Sequence, residues 1–472
     1  MNTPNEPLGK QLLAVGVMAI AVVAAVVIGA ARPVTTTNAR PTAAWAQQIE
    51  LGQDHIEPHE LARELLAGGE GLVLVDVRPA EQFAAWHLPG AVNLTVPEVC
   101  GPAGARLFAS NPRLVVLYSE GPAHPGQAWV ELQRQGRGNV KVLAGGLADL
   151  RAQVLTPLSL REGAAAADPA AVADATLTRA FLLGDPAPRA ATWATDPPAL
   201  TSPTMVSAAW LQQHLGTTAV LDVRAKASLG ELRLPGAVHL AIESLRVKTG
   251  DRDLHFVGDD QLAARFGALG IGIDTPVVIY SDVKVQDATL TALALLRLGH
   301  RAVAILEGGI LRWATERRPL VATRVTPAPV VYQPRPGADD FSITTDQLAA
   351  MVAARSADVL DVRPADFFRG DKSTEARPGH IPGAKNRLYS QDLVTGPDGQ
   401  WLRPRADVQR EYDALGLATD KPVVVSCRTG HTASYTYFVL RHLLGRDDVR
   451  WYNGSWTEWA GRSELPAETG GK

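Results

Sequence analysis

A chain of 472 residues is too long for one ordinary hydrophobic core and predicts about three domains. Its 46 Lys and Arg nearly balance 49 Asp and Glu, and a formal charge of −3 excludes the broad basic surface that nucleic acid requires. Two cysteines, Cys100 and Cys427, exclude a disulfide framework and a cysteine-rich metal cluster.

Residues 12–31 carry no charge. As a helix they would span roughly 30 Å, the thickness of a bilayer core. Ala44-Trp45-Ala46 has the form of a cleavage site but stands far from the apolar run. An uncleaved membrane anchor within an N-terminal segment, 1–46, is therefore the expectation. The flanking charges, Lys10 before and Arg32 and Arg40 after, give no orientation. The signal-like position places the body outside the cytoplasm, in a periplasmic or other extracytoplasmic space.

From about residue 50 the chain repeats itself three times. Each copy opens with an amphipathic helix, at 58–66, 207–215 and 345–353, the last with Thr344 and Gln347 spaced as a capping box. A buried strand then ends in Asp-Val-Arg: Asp76-Val77-Arg78, Asp222-Val223-Arg224 and Asp361-Val362-Arg363. Pro-Gly-Ala follows in each, at 89–91, 235–237 and 382–384. A second apolar strand closes on Ser119, Ser281 or Cys427, and a helix and a strand lead to Gly146, Gly309 and Gly454, which are 27, 28 and 27 residues further on. Strands alternating with helices predict parallel sheets covered on both faces. The implied domains are 47–160, 205–325 and 341–466. The Ala/Pro-rich stretch 161–204 reads as a linker with one short helix at 175–183, and 326–340 as a shorter one. Copies two and three, being closely linked, read as a tandem unit.

The third copy carries the chemistry. In PVVVSCRTGHTAS, 422–434, an apolar strand delivers Cys427 to a polar turn, and a helix is expected from Ala433. Such a turn lies at the carboxyl edge of a parallel sheet, where α/β folds bind ligands. Backbone N–H groups at a helix start stabilise a thiolate. Arg428 adds a positive charge, and Gly430 is free to turn N–H groups inward. The site reads as a nucleophilic sulfur facing a small anion. Cys100, in Val-Cys-Gly-Pro, has no such surroundings and reads as packing.

Cys427, Arg428, Gly430 and Thr432 match the Cys-Arg-x-Gly-x-Thr active loop of the rhodanese family, the thiosulfate sulfurtransferases, and the chain resembles that family from about 50 to 465. The Asp-x-Arg, Pro-Gly-Ala and glycine-turn landmarks agree, with Gly-His-Ile-Pro-Gly-Ala at 379–384 and Tyr-Asn-Gly-Ser-Trp-Thr-Glu-Trp at 452–459. The resemblance implies an α/β protein of three rhodanese-like domains, each a small parallel sheet of about five strands. Only the third would be catalytic, and the whole would stand behind one N-terminal transmembrane helix. It implies that Cys427 takes sulfur from thiosulfate as a persulfide and yields it to cyanide or a thiol, with no cofactor and no metal. Arg428, Thr429, Gly430, His431 and Thr432 would bind substrate. An additional substrate arginine of some family members falls at Phe367, which leaves Arg369, two positions on, as the candidate. Arg363, Arg387, Arg403 and Arg405 would add positive potential, and Trp456 and Trp459 would wall the pocket. Ser119-Glu120 and Ser281-Asp282 replace Cys-Arg in the first two copies, so these are expected to be inert. Asp-Val-Arg occurs without the cysteine, so it reads as a structural tether. His380, matched by His87 but by Arg233 in the second copy, reads as a turn residue. The alternatives are a 3-mercaptopyruvate sulfurtransferase, a persulfide carrier for a protein partner, and a non-catalytic membrane scaffold. A cysteine phosphatase is excluded, because Ala433 stands where its arginine would be.

Overall fold

The computed structural model describes residues 42–158, 168–184, 193–226, 229–249, 252–282, 284–396 and 399–471. The expected membrane segment, 12–31, lies outside them. Among the described residues no helix is long and apolar enough to cross a membrane.

Each copy is a module built on a five-stranded parallel sheet. In module 1 the strands are β1 (His55–Ile56), β2 (Leu72–Asp76), β3 (Val92–Asn93), β4 (Leu114–Tyr118) and β5 (Val140–Leu143), in the order β1-β5-β4-β2-β3. Module 2 repeats this order with β6 (Thr204–Val206), β7 (Ala219–Asp222), β8 (Val238–His239), β11 (Val277–Tyr280) and β12 (Val303–Leu306). It adds an antiparallel hairpin, β9 (Arg246–Thr249) and β10 (Arg252–Phe256). Module 3 uses β13 (Ser342–Ile343), β14 (Asp358–Asp361), β15 (Lys385–Asn386), β18 (Val423–Ser426) and β19 (Val449–Tyr452), with the hairpin β16 (Leu393–Gly396) and β17 (Gly399–Leu402).

The period-2 alternation of buried strands decides how the modules join. Val277 and Ile279 of β11 belong to a core that continues through Val423, Val425, Tyr435 and Trp451 of module 3. Val278 and Tyr280, pointing the other way, belong to a core that runs into Leu74, Val116 and Tyr118 of module 1. Helix Val285–Arg297 of module 2 lies against helix His431–Phe438 of module 3, and Thr289 Oγ1 meets Ser434 Oγ at 2.8 Å.

The described parts of the linkers carry more structure than composition suggested. A fifteen-residue helix, Pro169–Leu183, replaces the expected short one. Asp168 caps it by accepting the Ala170 N–H, and Pro169 occupies the first turn, where its missing N–H costs nothing. Its Asp174 accepts the N–H groups of Glu231 and Leu232, at 2.7 and 3.0 Å. Trp193, at the start of the described stretch 193–204, is buried, with its Nε1–H donating to Arg403 O at 2.7 Å. The 326–340 stretch is a strap held by Tyr332, buried against His300, and by Arg335, which pairs with Asp274. The capping box forms as spaced: Gln347 N–H donates to Thr344 Oγ1 and Thr344 N–H to Gln347 Oε1.

Helix His431–Phe438 runs into a π-helical turn, Val439–Leu443, which sets His442 among Phe438 and Tyr437. Burial pushes this imidazole from 6.5 down to about 4. The unfolded ring takes its proton near 6.5 and the folded one only near 4, so stability is whole above 6.5 and falls as pH drops toward 4. The loss approaches about 3 kcal/mol at most. Melting temperatures at pH 7 and pH 4.5 should therefore differ less in His442→Phe than in the parent. An unchanged difference removes His442 as the cause.

Candidate active site

β18 carries Cys427 to the carboxyl edge of its sheet, and the chain turns over Arg428, Thr429 and Gly430 into the helix at His431, two residues earlier than expected. Four consecutive carbonyls of this turn are held from outside. Trp456 N–H donates to Cys427 O and Thr457 N–H to Arg428 O, both at 3.0 Å. The Arg246 guanidinium donates to Thr429 O, and Trp451 Nε1–H donates to Gly430 O at 2.9 Å. A trans peptide is planar, so fixing a carbonyl on one side turns the next N–H to the other. The N–H groups of residues 428–431 accordingly face the hollow of the turn, forming a nest for an anion. Gly430 makes the turn possible with φ of 79°.

Ser455 is the residue that sequence counting missed. Its hydroxyl accepts the Cys427 N–H at 3.0 Å, donates to Tyr452 O at 2.8 Å and lies 3.9 Å from Cys427 Sγ. The N–H groups of Leu147, Ile310 and Trp456 reach the carbonyls of Ser119, Ser281 and Cys427 in turn. The true counterpart of Gly146 and Gly309 is therefore Ser455, not Gly454. All three have positive φ, and only the copy with the cysteine puts a side chain there, at φ 51°. A Cβ on Gly309 would come within 2.3 Å of Ser281 O. A strained non-glycine residue held at such a point is typical of a working site.

Cys427 is buried, with 2 % of its surface exposed. Tyr389 stands near enough that burial first, and then the neighbouring Cys427 and Asp287, push its phenol up. Beside the loop opens a cleft of about 220 Å³ walled by Arg363, Pro364, Phe367, Glu375, Arg428 and Trp456. Arg428 is half-exposed there, but its Nε donates to the buried Glu375 carboxylate at 2.8 Å. Its charge is thus compensated rather than bare, as the sequence reading had it. Thr429 and Thr432 are half-buried in the turn and the first helical turn. His431 Nε2 stands 2.8 Å from Asp287 Oδ1, a carboxylate of module 2.

The remaining arginines do not gather at the cleft. Arg369 pairs with Asp371 at 2.8 Å and is not among the residues lining the cleft, so its proposed substrate role finds no geometry. Arg387 and Arg403 both pair with Glu411, and Arg405 donates to Leu443 O. Arg363 reaches the cleft but is tied to Asp361. Trp456 walls the cleft as expected, whereas Trp459 is core, its Nε1–H donating to Pro466 O. The Asp-Val-Arg tether recurs in all three modules: each arginine donates from both Nε and Nη2 to its aspartate and from Nη2 to a turn carbonyl, at Trp86, Leu232 and Gly379. His380 stacks on Phe368, with Nδ1 2.7 Å from Phe368 O, and so is part of the turn. Ser119 donates to Gly121 O, and Cys100 packs in the module 1 core. Among the described residues no group of three or more His, Cys, Asp or Glu is placed to hold a metal ion.

The model of the rhodanese-like domain matches residues 57–153, 207–316 and 344–462. The chain belongs to the rhodanese-like domain family. Relatives of the chain include a thiosulfate sulfurtransferase of Corynebacterium glutamicum, 31% identical over 279 residues that cover 56% of this chain and 90% of the relative. The sulfur carrier protein TtuD of Thermus thermophilus is 31% identical over 281 residues, covering 56% and 96%. Among solved structures, an anaerobic ergothioneine biosynthesis enzyme from Chlorobium limicola superposes with a TM-score of 0.51 at 19% identity, covering 89% of this chain and 99% of that one. At that identity the likeness is one of fold.

Proposed function

We propose that this protein is a sulfurtransferase that moves sulfane sulfur from thiosulfate to a thiophilic acceptor, cyanide or a thiol, through a persulfide on Cys427. The observation that carries the proposal is the set of outward-held carbonyls, which leaves the N–H groups of residues 428–431 facing the hollow. The Cys427 thiolate attacks the outer sulfur of thiosulfate, the S–S bond of the donor breaks, and sulfite leaves. The acceptor then attacks the terminal sulfur of the persulfide and the Cys427 thiolate departs. One transfer becomes two, each passing through an anion that the nest stabilises. The kinship with a thiosulfate sulfurtransferase and a sulfur carrier protein supports the reaction class.

A second reading is favoured by the cleft. Phe367 and Trp456 make two of its walls apolar, and Glu375 already occupies the Arg428 charge. These features suit an organic thiol or a protein cysteine better than a second inorganic anion, so a persulfide carrier, or a 3-mercaptopyruvate donor, is the alternative. Intact mass after thiosulfate separates the readings. The parent should gain one sulfur atom and Cys427→Ser none. A gain from 3-mercaptopyruvate alone moves the assignment to that donor, and no gain from either leaves a non-catalytic scaffold.

Residues 12–31 are proposed to anchor the chain, with its modules outside the cytoplasm. The full chain should resist alkaline carbonate extraction from membranes, and a chain begun at residue 42 should not. Release of both alike would dismiss the anchor.

A further inference from the structure

We infer that the second module, which lacks a cysteine, completes the anion nest of the third, with Arg246 as the positioning residue. This rests on the sulfur-transfer reading above. Of the four donors that hold the loop carbonyls outward, Trp451, Trp456 and Thr457 belong to module 3 and Arg246 belongs to module 2. Arg246 opens the hairpin strand β9, is 8 % exposed, and donates from one nitrogen to Thr429 O and, at 3.0 Å, to Asn453 Oδ1. Asn453 also packs against Gly430: a Cβ there would meet its carbonyl at 2.5 Å. The Thr429–Gly430 peptide is thus held by residues of two modules, its carbonyl on Arg246 and its N–H turned the other way. A cation on the carbonyl also polarises that peptide and sharpens the N–H dipole offered to the sulfur. The hairpin is itself fixed to module 3, with Phe256 against the Trp451 ring at 5.3 Å and His255 Nε2 3.1 Å from Glu458.

The repeat provides the control. Module 3 sends its own hairpin, β16–β17, back across the Ser281 loop of module 2, so the two modules clasp each other reciprocally. Each hairpin follows a short 3-10 turn, Ile242–Leu245 or Tyr389–Asp392, and the residue in the place of Arg246 is Leu393. Leu393 and Leu402 leave a gap of only about 20 Å³ beside Ser281. An arginine stands over the loop that carries a cysteine, and an aliphatic residue over the loop that carries a serine. A general need for interface packing does not require that asymmetry.

The test uses the full chain with Arg246→Met, Arg246→Lys and, at the mirrored position, Leu393→Met. Single-turnover sulfur uptake at Cys427 from thiosulfate is followed by mass, with kcat and KM for thiosulfate and melting temperature alongside. Arg246→Met should load about tenfold more slowly, a fraction of the loss on deleting a direct donor. The loss should fall on kcat, with KM little changed. Lysine, one point donor in place of a fork, should restore part of the rate. Leu393→Met should load like the parent. Loading of Arg246→Met at the parent rate overturns the inference. So does an equal loss in both Arg246 variants that tracks a fall in melting temperature. If the parent takes up no sulfur, the sulfur-transfer reading fails instead. The inference is then decided by iodoacetamide labelling at the Cys427 peptide, where slower labelling of Arg246→Met supports it and equal labelling overturns it.

Discussion

Gly430→Ala is expected to slow sulfur uptake roughly a hundredfold or more while leaving the chain folded. At φ 79° an L side chain costs about 1–2 kcal/mol in backbone strain alone. The added carbon would also lie 2.5 Å from Asn453 O and 2.7 Å from Asn453 Oδ1, and neither can retreat easily. Asn453 Oδ1 is held by Arg246, and the Asn453 backbone follows β19 at the edge of the turn. The peptide that yields is then the loop's own, and its rotation takes a donor out of the nest. Losing one such donor costs roughly a hundredfold or more in rate. The strain is a minor part of the 5–15 kcal/mol typical of a folded domain, so melting should shift by a few degrees. Mass after thiosulfate and a thermal melt together decide it. A variant that loads at the parent rate would mean the N–H of residue 430 is not part of the nest.

Arg224→Met is expected to cost about 3–5 kcal/mol of folding stability, because it strands a buried carboxylate. Arg224 and Asp222 side chains are each 1% exposed. The guanidinium contributes Nε and Nη2 to the carboxylate and reaches on to Leu232 O at 2.9 Å. The Tyr280 hydroxyl, at 2.8 Å, and the backbone N–H of residue 224, at 3.1 Å, still donate to Asp222, which softens the loss without neutralising the charge. The double variant Asp222→Leu with Arg224→Met should be less destabilised than the single one, since it removes both charges. Urea unfolding of the full chain measures both. A single-variant loss below about 1 kcal/mol would reduce the tether to a surface-grade ion pair. The Arg363 tether should behave alike but weaken the cleft too, because Arg363 also lies over the Trp456 ring at 5.1 Å.

What the sequence made legible was whatever the local chain imposes. The Cys427 loop, the Asp-Val-Arg tether and the alternating strands each arise from residues a few positions apart, and the threefold repeat multiplied the signal. Helix Pro169–Leu183 was partly hidden because Asp168-Pro169 reads as a break as easily as a start. Ser455 was hidden by a one-residue frame slip: glycines at 146 and 309 drew the eye to Gly454. Arg246, Glu375 and Asp287 lie far from Cys427 in the chain and carry no motif of their own. They reach the loop only through the packing of one module on another or through a long excursion within module 3. The same packing explains why Arg428 looked like a free charge and is a paired one.

The oily interior that runs without interruption from β11 to β18 makes the catalytic copy a poor candidate for excision. Cutting the chain near 340 would peel away Val277 and Ile279 from Val423, Val425 and Trp451 and leave a raw greasy flank in water. A fragment carrying the cysteine by itself would tend to stick to its own kind, and its silence in an assay would say nothing about the chemistry of the intact polypeptide.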